Sequence, residues 1–154
     1  MKEVHSIDIL LVEDDLAHAE IVRRNLESFR VEQRLHHVAD GQAALDFLCH
    51  EGAYSDPLAS PRPALILLDL RLPKVDGLDV LRRIKASEAL RNIPTVILTT
   101  SAAESDMVSA YTNGAGSYLV KPLEFHRFQS LLQTFGFYWL SWNRFPAAGT
   151  GAPP

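Results

Sequence analysis

The chain has 154 residues, a formal net charge of -4, 47% hydrophobic and 22% charged residues. That length suits one domain with a full core, and the acidic balance excludes a nucleic-acid surface built on basic excess. The single cysteine, Cys49, excludes an intrachain disulfide and fits a reducing compartment.

The start, MKEVHS, is too charged for a signal peptide, and no apolar run reaches the ~18 residues of a membrane span. The expected location is therefore the cytoplasm. IDILLV (7–12) reads as the first strand, and residues 15–29 place Ile21, Val22, Leu26 and Phe29 on one helical face. QRLHHV (33–38) is the second strand. His36 and His37 point to opposite faces there and make a poor chelate. Residues 41–51 follow as a helix carrying Ala44, Leu45, Phe47 and Leu48, with Cys49 expected to be buried in it. GAYSDPLASPRP (52–63), with three prolines, reads as an enlarged surface loop.

ALILLD (64–69) is an unbroken apolar run ending in a carboxylate, as expected of a strand buried on both faces. A helix over 77–87 (Leu78, Val80, Leu81, Ile84), a strand PTVILT (94–99) and a helix over 103–113 (Met107, Val108, Ala110, Tyr111) follow. SYLV (117–120) is the last strand. The last helix begins near Glu124 and carries Phe125, Phe128, Leu131, Leu132 and Phe135. PAAGTGAPP (146–154) is expected to be disordered. No internal repeat is present.

Five strand–helix units predict a doubly wound parallel α/β sheet, with the first, third and fourth runs at its centre. Open sheets of this kind bind ligands at the carboxyl ends of their strands. Those ends carry Glu13-Asp14-Asp15, Asp69, Thr99-Thr100-Ser101 and Lys121-Pro122. Each has a structural explanation alone: helix caps for Asp14, Asp15 and the hydroxyl run, a turn residue for Asp69, a solvated lysine for Lys121. Their convergence on one crevice carries the argument. Two charges about 5 Å apart repel by roughly 3 kcal/mol at an effective dielectric of 20, so Glu13, Asp14 and Asp69 need compensation. Lys121 offsets part, and a hard cation such as Mg²⁺ offsets the rest. A Mg²⁺ site with a lysine and hydroxyl donors suits a phosphoryl group, with Asp69 as the atom that group would join.

LLVEDD, LILLDLRLPKVDG, VILTTS and YLVKP, in this order, resemble the receiver domain of two-component response regulators over about residues 5–140. The resemblance implies a flavodoxin-like (βα)5 fold with strand order 2-1-3-4-5. It implies that Asp69 accepts a phosphoryl group from a phosphohistidine on a sensor kinase. Asp14 and Asp69 would bind Mg²⁺ directly, Glu13 through water, and the backbone carbonyl of Arg71 would complete the protein ligands. Lys121 would pair with Asp69 or the phosphoryl oxygen, its bond to Pro122 being cis. Thr100 would bond the phosphoryl group and Tyr118 would move inward as Thr100 shifts. Asp15 is left over as a cap. Arg71 departs from the family in its size and charge; it would shield the acyl phosphate or pair with Glu13, altering dephosphorylation.

The expected domain is residues 5–143, with 144–154 a flexible tail and no room for an output domain. A stand-alone receiver would act by docking on a downstream protein or passing phosphate onward. FGFYWLSWNRFP (135–146) places Phe135, Tyr138, Trp139 and Trp142 at helical spacing. Phe135 is expected in the core, and Tyr138, Trp139 and Trp142 at an interface. This extension and the proline loop look like the single-domain receivers of phytochrome-type histidine kinases, several of which dimerise through the last helix. Alternatives are a receiver in a chemotaxis-like or phosphorelay pathway and a phosphate-independent docking module. A flavodoxin-like enzyme or nucleotide binder is opposed by VEDDLAHAE, which stands where a Gly-rich phosphate loop would be.

Overall fold

The computed structural model describes residues 6–146. Five strands, β1 (Ile7–Val12), β2 (Gln33–Val38), β3 (Leu65–Leu68), β4 (Thr95–Thr99) and β5 (Ser117–Val120), form one sheet in the order β2-β1-β3-β4-β5. Every neighbouring pair is parallel. Helices α1 (Leu16–Glu27), α2 (Gly41–Cys49), α3 (Gly77–Ala86), α4 (Glu104–Thr112) and α5 (Phe125–Gly136) connect or follow the strands. This is the flavodoxin-like order expected, with the three most apolar strands inside. Residues 147–154, most of the tail expected to be disordered, and residue 5 lie outside the described residues.

Side chains alternate across a strand, so the central strands feed two cores. Leu10, Val12, Ile66, Leu68 and Ile97 pack with Ala44, Phe47, Val80, Leu81, Ile84 and Ala110 from α2, α3 and α4. Ile9, Leu11, Leu65, Leu67, Val96 and Leu98 pack with Val22, Leu26, Phe128, Leu132 and Phe135 from α1 and α5. Each fully buried Leu or Ile contributes roughly 1.5–3 kcal/mol of transfer free energy, so these layers fix the strand ends rigidly.

Caps set where the helices begin. Asp15 precedes α1 and its Oδ1 accepts from the amides of Ala17 (2.9 Å) and His18 (3.1 Å). Glu124 does the same for α5. The expected loop over 52–63 contains one short 3-10 turn, Gly52–Tyr54, and is tied to α2 by His50 Nε2 on the Ser60 carbonyl (2.9 Å). Two glycines clamp the turn after β3. A Cβ on Gly77 would lie 2.2 Å from the Asp69 carbonyl oxygen, and one on Gly41 would lie 1.9 Å from the Val75 carbonyl oxygen.

Cys49 is exposed, contrary to expectation. It is the last residue of α2, turned past the face that Leu45 and Leu48 bury. After α5 the chain continues as a π-helical segment, Phe137–Trp142. Its wider winding breaks the α-helical phase on which the aromatic pattern was read. Phe135 is in the core and Tyr138 and Trp142 are exposed, as expected. Trp139 instead is half-buried against the second core, stacked on Phe145 at 6.1 Å between ring centroids. Phe137 is exposed in its place.

Candidate functional site at the strand ends

The sheet order reverses between β1 and β3, and the acidic residues meet there. Asp69 ends β3, its amide donating to the Val12 carbonyl (3.1 Å). Glu13 and Asp14 follow β1, with the Glu13 amide on the Val38 carbonyl (3.0 Å). One carboxylate oxygen from each of Glu13, Asp14 and Asp69 lies within 4.8 Å of the others. Glu13 and Asp69 are buried and Asp14 is exposed, so the cluster has a closed floor and an open mouth. Three hard oxygen donors in excess of nearby positive charge fit a divalent cation that keeps several waters.

Lys121 supplies that nearby charge. It leaves the end of β5, where its amide donates to the Thr99 carbonyl (2.7 Å). Its Nζ donates to Glu13 Oε2 at 2.5 Å and Asp69 Oδ2 at 3.0 Å, all three side chains being buried. The lysine reaches inward without the cis bond to Pro122: no cis peptide occurs among the described residues. Burial pushes Glu13 from 4.5 up to about 7, against Lys121, which pulls it down by hydrogen bond and charge. Asp15 is lowered, chiefly by the His18 amide, as its role as helix cap requires.

On the other side of β3, Asp69 Oδ1 accepts from the Arg71 amide at 3.3 Å. The Arg71 guanidinium does not pair with Glu13, whose carboxylate is already taken by Lys121. It pairs with Asp106 Oδ2 of α4 at 2.7 Å. Ser101 Oγ donates to the same oxygen at 2.5 Å, and the Tyr118 hydroxyl donates to the Ser101 carbonyl at 2.9 Å. Burial pushes the Tyr118 phenol up. The hydroxyl run sorts itself by exposure. Thr99 is buried, its Oγ1 accepting from the Ser101 amide (3.4 Å), whereas Thr100 is exposed just past β4.

Two participants, His18 and Asp106, carry no expectation from the sequence, and a third, His37, is set aside there as half of a poor chelate. His18 Nδ1 lies 3.2 Å from Lys121 Nζ. His37 Nε2 donates to the Glu13 carbonyl at 2.7 Å, fixing the peptide that precedes Asp14. Asp106 holds Arg71. His18 alone left a sequence signal, one helical turn beyond Asp14; the other two partnerships span 24 and 35 residues and exist only through the fold.

A doubly wound sheet whose switch point gathers an acid cluster, an inward lysine and a hydroxyl on the next strand defines a phosphotransfer signalling module. Residues 9–133 match the response regulator receiver domain, and the chain belongs to that family. It is 48% identical over 139 residues to the probable methanogenesis regulatory protein FilR2 of Methanothrix harundinacea, covering 90% of this chain and 86% of that one. It is 41% identical over 140 residues to response regulator Rcp1 of Synechocystis sp., covering 91% and 93%. The Mn²⁺-bound crystal structure of Rcp1 superposes with a TM-score of 0.87 at 40% identity, over 92% of this chain and 99% of that one. The phosphorylated cyanobacterial phytochrome response regulator RcpA superposes equally well, with a TM-score of 0.87 at 34% identity and the same coverage. The acid cluster Glu13, Asp14 and Asp69 corresponds to the divalent-metal pocket of this family. Among the described residues no helix is long and apolar enough to cross a membrane.

Proposed function

We propose that this protein receives a phosphoryl group on Asp69 from the phosphohistidine of a sensor kinase. The observation that carries the reading is Asp69 itself: buried at the end of β3, bonded to Lys121 at 3.0 Å, with Glu13 and Asp14 beside it. A carboxylate oxygen of Asp69 attacks phosphorus, the P–N bond to the donor histidine breaks as the P–O bond forms, and the freed imidazole keeps the electron pair. Asp14, Asp69 and the Arg71 carbonyl would hold Mg²⁺, with Glu13 acting through water, and the ion would supply charge neutralisation for the phosphoryl oxygens. Lys121 adds a fixed positive charge on the side of Glu13. Thr100 offers its hydroxyl to the phosphoryl group, and its shift draws Tyr118 inward from the Ser101 carbonyl, biasing an existing equilibrium between two states.

The receiver spans residues 5–143, with Phe145 stacked on Trp139 carrying its packing past the expected boundary at 143, and works in the cytoplasm. Its kinase is of the phytochrome type, a reading supported by the likeness to Rcp1 and RcpA. The exposed Phe137, Tyr138 and Trp142, with Trp139 behind them, form a homodimer contact at the last helix. A second reading, a kinase unrelated to light, is favoured by the 48% identity to FilR2. Either way the phosphorylated form passes its signal to a downstream protein or phosphotransfer partner. The test is labelling from acetyl phosphate with and without Mg²⁺, in the wild type and Asp69→Asn. Mg²⁺-dependent label absent from the variant is expected. A folded wild type that takes up no label overturns the reading in favour of a phosphate-independent docking module.

A further inference from the structure

Lys121 is the only cation bonded to Glu13 or Asp69 among the described residues, so its placement governs the pocket. An ammonium has three protons and no acceptor. Two protons go to Glu13 Oε2 (2.5 Å) and Asp69 Oδ2 (3.0 Å), and the third points to His18 Nδ1 at 3.2 Å. A lysine can only donate, so Nδ1 must be bare and the ring proton must sit on Nε2. The surroundings favour that tautomer: Nε2 faces Asp15 Oδ2 at 3.7 Å. The residue is held at two further points. Its backbone amide is bound by the Asp15 cap, and its edge meets Phe128 of α5 at 5.8 Å between centroids.

Resting on the phosphoacceptor reading above, we infer that His18 is a positioning residue for the reaction: its Nδ1 is the fixed neutral acceptor that aims Lys121 at the phosphoryl site. The choice of a neutral acceptor has a physical reason. A third carboxylate on the ammonium would add charge to a cluster already short of cations, and water would leave the long side chain free to turn. When a phosphoryl oxygen arrives, Lys121 exchanges one carboxylate bond for it. The His18 bond does not need to break, so the ammonium pivots about it instead of searching for its new partner.

Asparagine separates the acceptor from the ring, because its Oδ1 takes the place of Nδ1 while the ring contact with Phe128 is lost. Leucine keeps apolar bulk against Phe128 and removes the acceptor. The experiment compares wild type, His18→Asn and His18→Leu for labelling rate with acetyl phosphate and Mg²⁺. Thermal melts confirm folding, and the ¹H–¹⁵N signal of the Lys121 ammonium is recorded in the unphosphorylated, metal-free protein. A hydrogen bond to a charged group is strong enough that its loss is expected to slow labelling by about tenfold in His18→Leu, with the ammonium signal lost to exchange. His18→Asn is expected to keep both close to wild type. Equal slowing in both variants would assign the effect to the ring's packing and overturn the inference, as would wild-type rates in both. An unlabelled wild type would overturn the phosphoacceptor reading and with it the role in the reaction. The ammonium signal would then still decide whether His18 holds the lysine.

Discussion

Replacing Lys121 by methionine removes the charge and keeps most of the side-chain length. Glu13 and Asp69, buried with oxygens within 4.8 Å, then face each other with no cation between them. At that separation and an effective dielectric of 20 the repulsion is about 3.5 kcal/mol. Loss of one partner from a buried ion pair costs about 3–5 kcal/mol by measurement, which agrees. The expected destabilisation in EDTA at about pH 8 is therefore about 3 kcal/mol, within the roughly 5–15 kcal/mol of a typical domain, so the variant still folds. Lys121 is what holds the Glu13 pKa down, so its loss lets the variant take up a proton above the wild-type value of about 7. The deficit should therefore shrink by up to about 1.4 kcal/mol per pH unit until about 7, below which the wild type is protonated as well. Mg²⁺ should restore more stability to the variant than to the wild type, because the cation there replaces the missing charge. Urea unfolding read by fluorescence of Trp139 and Trp142 measures all three quantities, and a midpoint shift of about 1.5 M is expected for a slope near 2 kcal/mol/M. A variant as stable as the wild type in EDTA, or one indifferent to both pH and Mg²⁺, would refute the electrostatic account of the pocket.

Two further outcomes are expected. Glu13 has its pKa raised from 4.5 to about 7, so the folded, metal-free protein holds a proton there that the unfolded chain has already lost. Stability from this group is therefore full below 4.5 and falls as pH rises towards 7, by about 3 kcal/mol in all. A metal needs the ionised form, so Mg²⁺ affinity should rise across the same interval with uptake of the ion releasing a proton, which calorimetry in two buffers of different ionisation heat would detect. Arg71→Ala should leave stability within about 1 kcal/mol, because the guanidinium is largely exposed. It should shorten the phosphorylated half-life by opening the approach of water to Asp69; decay of label at an unchanged rate would remove the shielding role.

The strands were legible because their residues state their own environment. IDILLV, QRLHHV and SYLV occupy the strand bounds read from them, and the continuous apolar run over 65–68 is buried on both faces. The meeting of Glu13, Asp69 and Lys121 was legible for a different reason: a parallel doubly wound topology sends all its strand ends to one side, whatever the distance along the chain. What stayed hidden depends on side-chain reach or on winding. Arg71 has charged neighbours on two sides, and only the position of α4 turns it to Asp106 rather than Glu13. Trp139 was assigned outward on an α-helical period that the π-helical winding of Phe137–Trp142 does not follow. Cys49 sits at a helix end, where a one-residue difference in phase separates burial from exposure.

The two glycines around the turn after β3 alter how a map of mutational tolerance would read. Gly77 has no functional group, yet any side chain there would collide with the backbone of Asp69 and Leu70, and Gly41 is closed in the same way by Val75. A saturation screen scored only on signalling would rank both glycines beside Asp69, although neither touches a phosphoryl group. Scored a second time on abundance, the two classes separate: Asp69→Asn leaves a full complement of folded protein, whereas Gly77→Ala and Gly41→Ala deplete it. Strict residue identity in this turn thus carries two kinds of information, one chemical and one purely spatial.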